Sequence, residues 1–312
     1  MQVSVLDLAP VFPGTTPQQA LQQSLILAQT AERSGYIRYW VAEHHDMVHV
    51  ASASPEVLLA YIGAHTNSIR LGSGAVLLPY YKPIKVAEAF HMLAALFPGR
   101  IDLGIGRAPG GSAHVSMALS DSYLAQVRRM PELVRDLSLL LANRFAVEGE
   151  EVRARPLPPV APQLWLLGTH VKSAQYAAEQ GAGYVFGQFM SDDDGKEIVQ
   201  SYRSQYKPSV LNQQPKAIIA VSVICAETEA EARSLAEHAR SWGAAVSGGA
   251  VNGPQERQKT IVGTPQQVKE KLQQYEADMG VDEFMIVSML PDYEKRLRSY
   301  KLLAEAVYDK KH

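Results

Sequence analysis

Two adjacent histidines end an apolar segment of the sequence. Residues 39–45 read YWVAEHH, so a glutamate and two imidazoles follow a run that is typical of a buried strand. Successive side chains of a strand point to opposite faces, so Glu43 and His45 share a side and His44 lies on the other. The two rings then cannot both bind one metal ion while the strand stays regular. A metal site, a structural histidine pair and one functional histidine are the alternatives, and we favour the last.

If one histidine is functional, a neighbouring carboxylate can assist it. A carboxylate that bonds to a functional imidazole commonly fixes its ring orientation or its tautomer. We therefore expect His44 to be the catalytic residue, with Glu43 and His45 as its support, and we expect no bound metal.

Glycines interrupt two other strand-like segments. LGSGAVLLP (71–79) and LGIGRAPGG (103–111) carry glycine where a side chain would strengthen a strand. The second segment is not a dinucleotide-binding fingerprint, because Pro109 stands where the third glycine belongs. Either the glycines allow tight packing, or a flat ligand approaches the backbone near Gly74 and Gly106.

Two further features suit an anionic group. Arg107 follows the second glycine segment, where it can bind an anion in a bidentate way or form an ordinary surface ion pair. LLGTHVKSA (166–174) is a strand, a glycine and then a helix, whose first N–H groups can bind phosphate. Thr169, His170 and Ser173 would add side-chain donors, unless Thr169 is only a helix cap.

These residues all follow apolar segments that alternate with helical ones. The predicted strands are 3–8, 39–43, 69–79, 100–106, 163–168, 184–190, 217–225 and 282–290. Apolar strands joined by helices indicate a parallel sheet covered on both faces. The number of units predicts a single α/β domain over residues 1–312, a (β/α)8 barrel whose site lies at the carboxyl ends of the strands.

Some segments depart from this alternation. We predict one helix from about Asp121 to Leu141 and a loop over 243–263, whose first part is rich in Gly, Ala and Ser and which is either a mobile lid or disordered. The helices near 55–65 and 83–97 are apolar on nearly every side, although an outer barrel helix should have a polar face. We therefore expect a homodimer through these two helices.

Composition excludes several classes of function. The formal charge of −2 gives no basic excess for nucleic acid, and Cys225 is the only cysteine, so there is no intramolecular disulfide. No apolar run is long enough to span a membrane, and the N-terminal segment MQVSVLDLAP lacks the features of a signal peptide. We expect a cytoplasmic protein.

Taken jointly, seven segments resemble the bacterial luciferase-like flavin monooxygenases over nearly the whole chain. They are SVLDLAPV (4–11), RYWVAEHH (38–45), SPEVLLA (54–60), LGSGAVLLPYYKPIKVAE (71–88), PGRIDLGIGRAPGG (98–111), LWLLGTH (164–170) and VGTPQQV (262–268). No single segment is specific to this family, but the seven segments together are.

The resemblance implies a barrel that binds FMN at its mouth. It implies that His44 assists the chemistry of the flavin with oxygen, and that the peptide bond between Gly74 and Ala75 is a non-prolyl cis bond against the flavin ring. The implied cofactor-binding residues also include Gly106, Arg107, Ala108, Gly168, Thr169, His170 and Ser173. Among these, Arg107 and the segment from Gly168 to Ser173 would bind the phosphate. Relatives often carry two serines in place of Thr169 and His170, which puts a side-chain role of His170 in doubt.

The implied activity is oxygenation of a small organic substrate, such as an aldehyde or another carbonyl compound, with O2 and reduced FMN as co-substrate. A separate reductase would supply the reduced FMN, because the sequence has no NAD(P)H-binding fingerprint. The alternatives are an F420- or NAD(P)H-linked flavin oxidoreductase, a non-catalytic FMN-binding protein, and a metal-dependent hydrolase that uses Glu43, His44 and His45.

Overall fold

The computed structural model describes residues 1–246 and 259–308. Its strands are β1 (Gln2–Asp7), β2 (Arg38–Val41), β3 (Arg70–Ser73), β4 (Val76–Leu77), β5 (Ile101–Gly106), β6 (Ala146–Val147), β7 (Glu150–Glu151), β8 (Gln163–Gly168), β9 (Gly183–Gly187), β10 (Ala217–Cys225), β11 (Thr260–Gly263) and β12 (Glu283–Val287). Its helices are α1 (Pro17–Ser34), α2 (Pro55–Gly63), α3 (Pro83–Leu96), α4 (Ala113–Leu119), α5 (Tyr123–Arg128), α6 (Met130–Leu141), α7 (Val171–Glu179), α8 (Gly195–Ser204), α9 (Glu229–Val246), α10 (Pro265–Met279) and α11 (Tyr293–Val307).

Eight parallel strands of the described chain close into a barrel. Their order is β1, β2, β3, β5, β8, β9, β10 and β12, and β12 pairs with β1 to complete the ring. The short β4 adds to β5, β11 adds to the end of β10 outside the ring, and β6 and β7 form a small antiparallel hairpin. The predicted (β/α)8 barrel is therefore confirmed.

Large side chains close the barrel interior below its mouth. Trp40 and Trp165 are fully buried and meet edge to face, with ring centroids 5.6 Å apart. Beneath them Arg38 forms ion pairs with Asp102 at 2.8 Å and with Glu283 at 2.7 Å. Because these buried charges are paired and the interior is filled, a ligand has access only to the carboxyl end of the barrel.

Helices α1 and α10 begin and end where the sequence indicates. Thr16 and Thr264 each form a capping box with the glutamine three residues later. Helices α1 and α10 end at Gly35 and Gly280, which adopt the left-handed conformation with φ of 92° and 64°. Among the described residues no helix is both long and apolar enough to cross a lipid bilayer.

Three predicted elements were wrong in part. The helix predicted over 121–141 is two helices, α5 and α6, that meet near Arg129, and the separate helix α4 precedes them. The strand predicted over 69–79 is divided into β3 and β4 around the cis peptide bond Gly74–Ala75. Both ends of the loop predicted over 243–263 have regular structure in α9 and β11, and residues 247–258 lie outside the described residues.

Candidate active site

The candidate residues follow four consecutive strands of the barrel. His44 comes after β2, Gly74 after β3 and Arg107 after β5, while Gly168 ends β8. These strands are neighbours in the order β2, β3, β5 and β8. Since all four run parallel, the residues lie together along one side of the mouth.

His44 presents a ring nitrogen with no partner. Its Nδ1 atom is buried and has no hydrogen-bond partner among the residues that the structure describes, while its backbone N–H donates to the carbonyl of Ser52 at 2.9 Å. Burial, with a smaller contribution from the charge of His45, lowers the pKa of His44. The imidazole therefore favours its neutral form, which can both donate and accept a proton.

Glu43 supports His45 rather than His44. Its Oε1 lies 2.8 Å from Nε2 of His45 and accepts a bond of 2.7 Å from the hydroxyl of Tyr81. Its Oε2 accepts the backbone N–H of Leu77, in β4, at 3.0 Å. Burial raises the pKa of Glu43, and these three donors oppose that shift. The carboxylate thus ties the segment after β2 to the segment after β3.

The two histidines have different contacts, although both follow β2, which ends at Val41. His45 is bound to Glu43, whereas the ring of His44 is not. Across residues 1–246 and 259–308, no group of three or more His, Cys, Asp and Glu side chains is placed to hold a metal ion.

The glycines of β3 and β5 serve different purposes. A Cβ atom on Gly104 would lie 2.1 Å from the carbonyl oxygen of Ser73, so close packing of backbones requires that glycine. A Cβ atom on Gly106 would meet only the Cβ of Ala75, at 3.2 Å. The space above Gly106 and the half-buried Ala75 is therefore open to a flat ligand.

Arg107 and the start of α7 form the end of the site that suits an anionic group. Ile105 pairs with Leu166, and continuing this register places Arg107 beside Gly168. The Arg107 side chain is exposed and has no hydrogen bond or ion pair to any part of the chain that the structure describes. Ala108, next to it, is also exposed. A free guanidinium beside the N–H groups of a helix N-terminus suits a phosphate group.

The side chains at the start of α7 mostly hold the turn itself. The hydroxyl of Ser173 donates to the carbonyl of His170 at 2.6 Å, and a Cβ atom on Gly168 would lie 2.0 Å from that hydroxyl oxygen. Ser191 donates to the carbonyl of Thr169 at 2.7 Å. Gly168 is therefore needed for the close approach of strand and helix, and the backbone remains the main donor.

The ring of His170 faces an acidic partner. Its Nδ1 lies 2.7 Å from Oδ2 of Asp193, in the segment between β9 and α8, and 62% of its side chain is exposed. A carboxylate already occupies one ring nitrogen, so a side-chain bond from His170 to a phosphate is not evident in this geometry.

Sequence reasoning missed the tyrosines around the site. Tyr81 bonds to Glu43, Tyr80 donates to the carbonyl of Pro109 at 2.7 Å, and Tyr123 donates to the carbonyl of Arg107 at 2.8 Å. The only available signal was the pair of tyrosines directly after a predicted strand end. Nothing in the sequence pairs Tyr123 with Arg107.

The site fits a flat ring with a phosphate tail, such as a flavin nucleotide. The ring of His44 makes no hydrogen bond within the described residues, the described side chains leave the space above Gly106 free, and the exposed Arg107 has no ion pair there. The arrangement can bind, orient and exchange a proton with such a molecule.

Comparisons with known proteins show the family of the chain. The family model described as luciferase-like monooxygenase matches residues 1–283. The N-acetyl-S-alkylcysteine monooxygenase of Bacillus subtilis (strain 168) is 35% identical, over 98% of this chain and 98% of that protein. The crystal structure of apo-MsnO8 is similar with a TM-score of 0.86 and 38% identity, and covers 98% of both chains.

A more distant structure shares the fold. The oxygenating constituent of 3,6-diketocamphane monooxygenase of Pseudomonas putida, in complex with FMN, has a TM-score of 0.75 and 18% identity over 99% of both chains. Because the family model spans nearly the whole chain and the closer relatives align from end to end, the protein belongs to the luciferase-like monooxygenases, a family of flavin-dependent oxidoreductases that use O2.

Proposed function

We propose that the protein uses reduced FMN and O2 to insert one oxygen atom into a small organic substrate. The observation that carries the proposal is the alignment of His44, Ala75, Arg107 and Gly168 along four consecutive strands at the barrel mouth. In the balanced reaction, substrate, O2 and reduced FMN give oxygenated substrate, oxidised FMN and water.

FMN is the flavin that these residues fit best. Arg107 and the first N–H groups of α7 would bind its single phosphate, and Ala75 and Gly106 would support its ring. The bound flavin supplies two electrons to O2, and the protein supplies position and a controlled proton.

His44 would exchange that proton through its imidazole ring. Burial lowers the pKa of His44 and so favours the neutral imidazole, and no described residue bonds to the ring. Glu43 would act as a positioning residue, because its contacts reach His45, Tyr81 and the backbone of Leu77 instead of the ring of His44.

Reduced FMN would come from a separate reductase. The chain has no dinucleotide-binding fingerprint, and the related Pseudomonas putida protein is described as an oxygenating constituent. The cytoplasmic location inferred from the sequence stays a prediction.

We further propose a homodimer through α2 and α3. Large apolar side chains of these helices remain exposed, namely Val57 at 67%, Tyr61 at 44%, Met92 at 54% and Leu96 at 60%. A patch of this kind on one face favours association. Light scattering at micromolar concentration should give twice the chain mass, and the double variant V57D/L96D should give one chain mass. A wild-type monomer would refute the dimer.

The substrate class can be tested with a panel of candidate substrates. The resemblance to the family implies an aldehyde or another carbonyl compound, and the name of the Bacillus subtilis relative adds S-alkyl thioethers such as N-acetyl-S-alkylcysteines. Both kinds are small organic molecules that accept one oxygen atom.

Isotope labelling tests the proposal. The protein, photoreduced FMN and each candidate substrate would be mixed under ¹⁸O2, and the products analysed by mass spectrometry. We expect one ¹⁸O atom in the product of at least one substrate, with Tyr275→Phe, far from the mouth on α10, behaving as wild type. Hydride transfer to or from substrate without O2 consumption, with FMN or F420, would favour a non-oxygenating oxidoreductase. Tight binding of oxidised FMN without turnover would favour a flavin-binding protein.

A further inference from the structure

Two tyrosines from separate parts of the chain stack beside the loop that carries Arg107. Tyr80 lies in the 3-10 turn Leu78–Tyr80 after β4, and Tyr123 begins α5. Their rings are 4.8 Å apart at an interplanar angle of 21°, which is a stacked pair. Both residues are half-buried, so the pair is a fixed feature of the mouth.

The two hydroxyls each donate a hydrogen bond to a backbone carbonyl of that loop. Tyr123 donates to the carbonyl of Arg107 at 2.8 Å, and Tyr80 donates to the carbonyl of Pro109 at 2.7 Å. A third carbonyl, that of Gly110, accepts the backbone N–H of His45 at 2.8 Å. Three carbonyls within four residues are thus fixed by donors from outside the loop.

Fixing a carbonyl also fixes the peptide group behind it. In a planar trans peptide the N–H of the next residue points away from the C=O. The bond to Tyr123 therefore sets the direction of the Ala108 N–H, and the bond to Tyr80 sets that of the Gly110 N–H. These two hydrogen bonds also engage carbonyl oxygens that would otherwise repel an anion near Arg107.

Tyr123 remains a donor over the whole neutral range. Burial, with a smaller contribution from Tyr80 and opposed by the charge of Arg107, raises the pKa of Tyr123 to about 12. Its hydroxyl therefore keeps its proton, and the bond to the Arg107 carbonyl persists.

We propose that Tyr80 and Tyr123 are positioning residues that hold the Arg107 loop in the conformation that binds the flavin phosphate. The inference rests on the proposed function, because it takes the ligand of Arg107 to be that phosphate. It assigns the tyrosine pair a role in selecting FMN over riboflavin, which has the same ring and no phosphate.

The test compares two flavins on the intact protein. Dissociation constants of FMN and riboflavin would be measured by fluorescence quenching for wild type, Tyr123→Phe and Tyr80→Phe, with Tyr275→Phe as control. Each mouth variant keeps its ring and loses the bond to the loop carbonyl, and Tyr80→Phe also loses the contact with the Ser116 hydroxyl, so FMN should bind about 3- to 10-fold more weakly. Riboflavin affinity and the control should stay within about twofold of wild type. Equal weakening of both flavins, or unchanged FMN affinity, would overturn the inference.

A second readout needs no flavin. Hydrogen exchange of peptides covering residues 107–111 should be faster in flavin-free Tyr123→Phe than in wild type, and unchanged exchange would also overturn the inference. If wild type binds FMN no more tightly than riboflavin, the phosphate site of the proposed function is itself wrong, and the selection role falls with it. Wild-type selectivity that persists in both tyrosine variants rejects only the role of the pair.

Discussion

The carboxylate of Glu43 lies 2.8 Å from Nε2 of His45, while the neighbouring His44 keeps a buried Nδ1 without a hydrogen-bond partner in the described part of the chain. Both histidines follow the end of β2 at Val41, and only His45 contacts the carboxylate. One histidine is consequently part of the scaffold, and the other is free to serve a ligand at the mouth.

Replacing His44 should reduce turnover without removing flavin. Positioned proton transfer contributes about 10²- to 10⁴-fold to rate, so His44→Gln should lower kcat of product formation by a factor in that range. FMN affinity should change by less than about threefold, because the phosphate contacts remain. Titration of flavin fluorescence and product analysis measure the two effects. Half or more of wild-type kcat in His44→Gln would contradict the proposed proton transfer. The matched control is His65→Gln, at an exposed position just after α2.

Replacing Glu43 should destabilise the fold at the site. Its two oxygens accept bonds from Tyr81, His45 and the Leu77 N–H, and the amide of glutamine would place an N–H group against one of these donors. Glu43→Gln should lower the free energy of unfolding by about 1–3 kcal/mol, as for an unsatisfied buried group. Urea denaturation measures this, and Glu179→Gln, at an exposed site on α7, controls for the change of charge. Equal stability of the two variants would contradict the account.

Acid should destabilise the protein through His91. This residue is fully buried in α3, its Nδ1 lies 2.6 Å from the carbonyl oxygen of Ala154, and burial lowers its pKa below the ordinary 6.5. The unfolded chain therefore binds a proton more readily than the folded one. The stabilisation is present above about pH 6.5 and is lost as pH falls through the lowered folded pKa. His91→Asn retains a donor near Ala154 but does not titrate, so its unfolding free energy should fall less steeply than that of wild type between pH 7 and about 5. Parallel pH curves would exclude this histidine.

Two glycines of β5 should respond differently to alanine. Gly104→Ala would place a Cβ atom 2.1 Å from the Ser73 carbonyl, so thermal unfolding should shift down strongly or the protein should not fold. Gly106→Ala would meet only Ala75 at 3.2 Å, so the protein should fold with near-native stability and bind FMN about 3-fold or more weakly, because the methyl group occupies the ring space. Wild-type FMN affinity in Gly106→Ala would remove this surface from the flavin site.

The sequence predicted the barrel and the positions that surround its mouth, because both follow from local patterns. Apolar runs indicate strands, parallel strands end at one face, and the residues after them meet there, which brings His44, Arg107 and Gly168 together. Strand periodicity predicted different surroundings for His44 and His45, but β2 ends at Val41, so periodicity is not what separates them.

The supporting contacts could not be predicted in the same way. The bonds of Glu43 to Leu77 and Tyr81 depend on the register of the next strand, and the bond of Tyr123 to Arg107 depends on the placement of α5 over the loop. Neither leaves a periodic signal in the chain. The break at Arg129 does have a local signal, because Pro131 lies in the first turn of α6, where proline is favoured. Helix α9 extends through Val246, into the segment that was predicted to be a loop.

The central claim is that the protein directs the reaction of reduced FMN with O2. Stopped-flow mixing of the anaerobic protein and photoreduced FMN with air-saturated buffer tests it most directly. We predict that the absorbance of oxidised FMN returns in at least two phases, that the last phase is slower than for free reduced FMN, and that His44→Gln changes its rate. A return in one phase, at the rate of free reduced FMN and unchanged in His44→Gln, would contradict the account.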